Sequence, residues 1–430
     1  MIRHQQFIEA LSKIPGEAPE WNAVASGYLV LRAFDDWTVL GPVGIVNDCT
    51  TVGILEKIHA LPDEHRAERE VLVQIMSALC NSADTSLRSV SAPILAYGGV
   101  LENNGQWILA SAVYTNIAEM LEARTPLDRE ECSVASFAYR REAFSLRNAQ
   151  DYAGAEIAYR RAIVLGEKAK DDQAHLQAKL GLAITARVRG NLPAAEEALN
   201  ALLSECSTYD AKTIETVRPG LLHARGALRH DRGQYTDALL DFFDAYQSSQ
   251  DPDSKEMILA NIGASAEEAG FPELARNALN IVVLTSRRHM ARQLAIVNLI
   301  ENAIVDDNEV AFTRLRNMWQ PEYCDAHLNA YARLYVARGL ERFSTREHAI
   351  EAFRDAASYA EKAEIHKAQF EALHDLERLE RDISEDTHKM SRASHPLPEV
   401  LQPLTQALSE IYILAATHHE QSADFEKIPS

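Results

Sequence analysis

The chain is predicted to be an all-α solenoid of stacked helical hairpins, and three features of its 430 residues carry that expectation. First, an alanine followed four residues on by a large apolar residue, and three later by an apolar or alanine position, recurs every 36 to 45 residues. The instances are Ala110/Tyr114/Ile117, Ala155/Tyr159/Ala162, Ala195/Leu199/Leu202, Ala238/Phe242/Ala245, Ala275/Leu279/Val282, Ala311/Leu315/Met318 and Ala349/Phe353/Ala356. Second, a small residue stands twelve ahead of the anchor: Gly98, Ala143, Ala183, Gly226, Gly263 and Ala337, with Leu299 the exception. Third, a turn-prone residue stands five ahead: Gly105, Gln150, Gly190, Gly233, Gly270, Asp306 and Ser344. A period of this size belongs to arrays of supersecondary units, each too small to bury its own apolar face.

The spacing has a direct physical reading. Offsets of four and three place the anchor, the large residue and the third position on one face of a helix. The small residue lies in the preceding helix, where a missing side chain admits close approach. The turn residue ends one helix and starts the next. Seven such hairpins are expected, and Ala155 and Ala238 should be buried between helices.

These residues resemble the tetratricopeptide repeat family. Tyr139, Ala143, Leu146, Tyr152, Ala155, Tyr159 and Ala162 form the best copy, and Gly226, Gly233, Tyr235, Ala238, Phe242 and Ala245 the next. The resemblance covers roughly residues 86 to 363. It implies a right-handed superhelix of antiparallel helix pairs with terminal capping helices. The repeat exceeds the usual length of about 34 residues, and the closing proline of each unit is mostly absent. The motif specifies fold and says little about function.

Composition agrees with an all-α chain. Apolar residues make up 47% and aromatics 7%, and Ala, Leu, Glu and Arg are good helix formers. A formal charge of −20 argues against nucleic acid or an anionic membrane surface as a partner, since both reward Lys and Arg. The five cysteines, Cys49, Cys80, Cys132, Cys206 and Cys324, form no CxxC pair and read as thiols of a reducing compartment. The N-terminal stretch has no apolar core of signal-peptide length, and no run of about 18 apolar residues follows. A cytoplasmic location is expected.

Along the chain, residues 1–85 read as a helical cap, or alternatively as a small effector bundle. Within them Trp21, Val24, Tyr28, Leu31 and Phe34 follow a helical stripe, Gly41, Pro42 and Gly44 suggest a loop, and helices near 50–61 and 65–80 flank Leu61-Pro62. The array occupies 86–383, with a last helix at 363–383. Proline at Thr125-Pro126, Asp251-Pro252 and Gln320-Pro321 falls between hairpins. Arg218-Pro219-Gly220 suggests a kink or break. Residues 384–398 have linker composition. Residues 399–416 form an amphipathic helix through Leu401, Leu404, Leu408 and Ile411. That helix has three docks to choose from: the end of its own last repeat, which is the default, its own groove, or a second copy. Residues 417–430 read as a disordered tail.

No catalytic or cofactor signature is present. The glycine pairs lack phosphate-loop spacing, and HExxH, GxSxG and zinc-spaced Cys/His groups are absent from the sequence. His418-His419-Glu420 sits in the expected tail. The expectation is a non-enzyme with no cofactor and no metal. The resemblance implies a concave groove lined by first-helix side chains, and so a set of binding residues. In the best copy these are Phe137, Arg140, Phe144, Arg147 and Asn148. Further along they include Arg187, His223, His230, Met257, Ile296, Ile300 and Ile304. The first part of this set is a cationic strip on an acidic chain, and the later part is apolar. Such a groove suits a peptide with an acidic end and apolar side chains. The structural alternative is that the arginines cap helices or pair with acids such as Glu142 and Asp151. The functional expectation is a scaffold that binds a protein or peptide. The other readings are a peptide-gated regulator acting through residues 1–85, and an assembly subunit that forms a homodimer through its terminal helices.

Overall fold

The computed structural model describes residues 4–16, 18–46, 49–82, 87–123, 126–286, 288–324, 326–363, 365–381 and 396–425. Among the described residues there are twenty α-helices and no strand. The chain divides into two compact units, Met1–Val217 and Arg218–Ser430.

The first unit opens with α1 (Gln5–Lys13), α2 (Pro19–Val46), α3 (Cys49–His59), a 3-10 turn (Asp63–His65) and α4 (Arg66–Asn81). Val24, Leu31 and Phe34 of the expected stripe are buried with Trp37. The loop expected at Gly41–Gly44 is absent, because α2 runs unbroken to Val46. Glycine and proline disfavour a helix interior by about 1 and 3 kcal/mol, and the cooperative propagation of a long helix outweighs that here. His4, which has a left-handed backbone at φ 59, sits buried with its Nε2 3.0 Å from Asp35 Oδ2 and so ties the N-terminus to α2.

Helix pairs follow: α5 (Leu87–Asn103) with α6 (Trp107–Glu122), α7 (Arg129–Asn148) with α8 (Tyr152–Ala169), and α9 (Asp172–Val188) with α10 (Leu192–Cys206). Helix α11 (Ala211–Asp231) contains the division between the units and is continuous through Pro219, so no break occurs there. The second unit continues with α12 (Tyr235–Ser248), α13 (Pro252–Glu268), α14 (Pro272–Thr285), α15 (His289–Val305), α16 (Glu309–Met318) and a 3-10 turn (Pro321–Tyr323). It ends with α17 (Ala326–Phe343), α18 (Arg346–Lys362), α19 (His366–Glu380), a 3-10 turn (Glu399–Leu401) and α20 (Gln402–Phe425).

Each unit packs mainly between helices adjacent in sequence. In addition, first helices touch first helices: α5 with α7 and α7 with α9 in one unit, and α13 with α15, α15 with α17 and α17 with α19 in the other. Anchors Ala110, Ala155, Ala195, Ala238, Ala275 and Ala349 have no exposed surface. Their small partners work as the spacing implies. A Cβ on Gly98 would lie 2.5 Å from the Tyr114 ring, and one on Gly226 would lie 2.8 Å from Phe242. The turn positions Gly105, Gln150, Gly190, Gly233 and Gly270 all have φ between 65 and 82.

The copy at Ala311 departs from the pattern, as its Leu299 foreshadows. The positive φ falls on Asp307 instead of Asp306. Ala311 is half-buried and Met318 is 38% exposed, while Phe312 beside the anchor is buried against Gly339. The register has slipped by one residue, because a phenylalanine contributes more burial than an alanine.

The C-terminal helix reaches Phe425, beyond the expected end at 416. It packs against α14, and the 3-10 turn before it lies beside α12. Leu401, Leu404 and Leu408 are fully buried in a core shared with Phe271, Leu274 and Leu279. Its neighbours are therefore second helices in the middle of the unit, where the end of the last pair was the default expectation. The expected linker lies largely outside the described residues.

Candidate functional site

Helix α7 carries the densest part of the expected groove. It is started by a capping box: Glu131 N–H donates to Asp128 Oδ1 (2.9 Å) and Asp128 N–H donates back to Glu131 Oε2 (3.0 Å), which satisfies two end donors at once. One side of α7 buries Ala135, Ala138, Tyr139 and Ala143. The other presents Phe137, Arg140, Arg141, Phe144 and Arg147.

These side chains form a layered cluster. The Arg141 and Arg147 guanidinium carbons stand 4.7 and 5.2 Å from the centre of the Phe144 ring, and Trp107 of α6 meets the same ring edge-on at 6.0 Å. Arg141 is paired with the buried Glu102 of α5, which also accepts from Ser145 Oγ at 2.8 Å. Arg147 Nη1 donates to Tyr159 Oη at 3.2 Å. The pairing partners expected for these arginines are used elsewhere. Asp151 caps α8 by accepting from Gly154 N–H, and Glu142 bonds Thr115.

Arg140 differs from its neighbours. It stacks on Phe137 with its guanidinium carbon 5.1 Å from the ring centre. Its Nε is buried and has no hydrogen-bond partner, and among the described residues no ion pair reaches it. Burial draws its guanidinium below the usual value, with Tyr159, Asp171 and Tyr114 acting the other way. An arginine remains charged under such a shift.

Beside Phe137 lies a cleft of 430 Å³, walled by Ala92, Leu95 and Ala96 of α5 and by Ser133, Val134 and Phe137 of α7. It is shallow and open to solvent, because Ala92 and Ala96 are exposed and leave room opposite a 40%-exposed phenylalanine. A second cleft of 550 Å³ near Ser133 is polar, and several of its side chains are already bonded at helix ends. Arg129 Nε donates to the Ala169 carbonyl (2.7 Å), Asp171 accepts from Ala174 N–H (2.9 Å), and Asp210 accepts from Thr213 N–H (3.0 Å).

The remaining expected site residues fare differently. Arg187 lies half-buried near the end of α9, which touches α7, and it is engaged in interactions of its own. His223 and His230 belong to the second unit and join α11 to α13. Asn261 Nδ2 is 2.6 Å from His223 Nε2, and His230 Nδ1 is 2.8 Å from Ser265 Oγ. Met257 is half-exposed on α13. Ile296 and Ile300 are corrections: at 1% and 0% exposure they are core residues of α15 and present no wall. The helix is covered by α14, α16 and α17 on a broader arc than a groove position allows. Burial is the largest single influence on Arg338 and lowers it, but its bonds to Asp375 (2.8 Å) and Glu371 (3.1 Å) together outweigh that and lift it above its usual value.

Four contributors escaped the sequence reading: Trp107, Glu102, Arg141 and the α5 wall of the cleft. The wall had a signal. Ala92 and Leu95 precede Gly98 by the offsets at which Phe137 and Arg140 precede Ala143. Protein-family models yield no match to the chain, and no curated protein is significantly similar to it.

Proposed function

We propose that this is a non-enzymatic protein of tetratricopeptide type, with about seven hairpins in a solenoid, that binds a segment of a protein or peptide partner on the first-helix face of α5, α7 and α9. One observation carries the reading: Arg140, whose buried Nε has no hydrogen-bond partner, stacks on Phe137 at the wall of an apolar cleft, on the face where this architecture would place its groove. A desolvated donor without a partner costs about 1–3 kcal/mol, a cost that a ligand acceptor would remove. Phe144, with Arg147 over its ring and Trp107 of α6 edge-on to it, adds rigid aromatic surface beside this face, the composition enriched where partners dock.

A photo-crosslinking amino acid placed at Phe137 tests the proposal, with the same group at Ile157 as a control, since Ile157 is 59% exposed on the second helix α8. Adducts with a partner are expected from position 137 and not from 157. Equal labelling from both positions, or none from 137 in cells that express the protein, would contradict it.

A further inference from the structure

The cleft and the arginine together define a ligand chemistry, and this step rests on the binding face proposed above. We infer that the α5–α7 cleft takes a large apolar side chain from a peptide whose neighbouring residue, or the next but one, is a carboxylate that pairs with Arg140. The cleft is lined by apolar groups apart from Ser133, and 430 Å³ is ample for one leucine- or phenylalanine-sized group. Ser133 Oγ has no proton to offer an acidic ligand, because it donates to Asp171 at 3.0 Å. The wall residue Phe137 is the ring on which Arg140 stacks, so the apolar slot and the cation are contiguous.

Spacing sets the dyad. Phe137 and Arg140 are three residues apart on a helix, a rise of about 4.5 Å, which an extended peptide covers in one to two residues at roughly 3.3 Å each. Charge sets the sign of the partner. Arg141 is paired with Glu102, whereas Arg147 donates to the neutral Tyr159 hydroxyl and keeps its charge; Arg140 is the cation stacked on the cleft wall, and its buried Nε has no partner. An acceptor of negative charge gains most there, since charge-assisted bonds to guanidinium are stronger than neutral ones.

The test is selection of a displayed random-peptide library on the immobilised full chain, repeated with Ala96→Trp, which fills the cleft from an exposed position, and with Arg140→Gln. Thermal melts of both variants check that they fold. Enrichment of a leucine-, isoleucine- or phenylalanine-type residue within two positions of Asp or Glu is expected. Dye-labelled copies of enriched peptides should lose about tenfold or more in affinity when the acid becomes its amide. Ala96→Trp should abolish the apolar preference, and Arg140→Gln the acidic one. Enriched peptides without the dyad, or dyad peptides that bind both folded variants as well as the parent, would overturn this inference and leave the binding face standing. Failure to enrich any peptide would overturn both.

Discussion

At the scale of single residues, a carboxylate and a glycine give the sharpest expectations. Glu142 is buried near Glu119 and Glu122, and burial is the main cause that pushes its carboxyl from an ordinary 4.5 to about 7. Between those values the folded chain holds a proton that the unfolded chain has released. Stability should therefore fall as pH rises through this window, by at most about 1.4 kcal/mol per pH unit from this group. Glu142→Gln should flatten that slope in urea denaturation measured from pH 4.5 to 8 and raise stability at the upper end. An unchanged slope would place the proton elsewhere. Gly226 should be intolerant of a methyl group. Its Cβ would meet the Phe242 ring at 2.8 Å, and overpacking of this kind costs about 1–3 kcal/mol. Gly53, whose Cβ would meet nothing within 4 Å, should gain up to about 1 kcal/mol as alanine in its helix. Melting temperatures moving in opposite directions for the two substitutions would check the contrast.

At the scale of elements, the C-terminal helix is the clearest case. Leu404 is fully buried on α20 while Leu414 is 61% exposed. Leu404→Ala should cost about 2–5 kcal/mol, and Leu414→Ala should stay within about 0.5 kcal/mol; the midpoint of chemical unfolding reads both. Removing Pro396 onward should expose the surface around Phe271 and Leu274, lower the melting temperature and promote aggregation. Sequence pattern found this helix, because period 3.6 alone makes Leu401, Leu404 and Leu408 a stripe. It could not find the dock, because an apolar stripe does not name the surface that covers it. The same limit explains Ile296 and Ile300. Their first-helix positions match those of groove residues, yet the arc of α15 in contact with its neighbours is wider. Local punctuation failed in the other direction: Gly41, Pro42 and Gly44 read as a loop, but α2 passes through them.

For the molecule as a whole, the repeat of anchor alanine, small partner and turn residue was legible because each is a steric necessity. A ring at Tyr114 or Phe242 needs a glycine opposite, and most of the hairpins turn through a left-handed residue such as Gly190 or Gly233, the expected turn residue Ser344 being an exception. The site was legible only in part. Side-chain type at Arg140, Phe144 and Arg147 was visible, whereas which arginine lacked a partner depended on where Glu102 and Tyr159 come to rest. With a formal charge of −20, long-range attraction does not favour an acidic ligand, so recognition should be local and association unaccelerated at low salt. The measurement that tests the central claim most directly is the affinity of the partner caught through position 137, determined by calorimetry for the full chain and for Arg140→Glu with Arg147→Glu. Circular dichroism confirms that the double variant is folded. A loss of about tenfold or more is expected from reversing charge at the face, and unchanged affinity in the folded double variant would contradict the account.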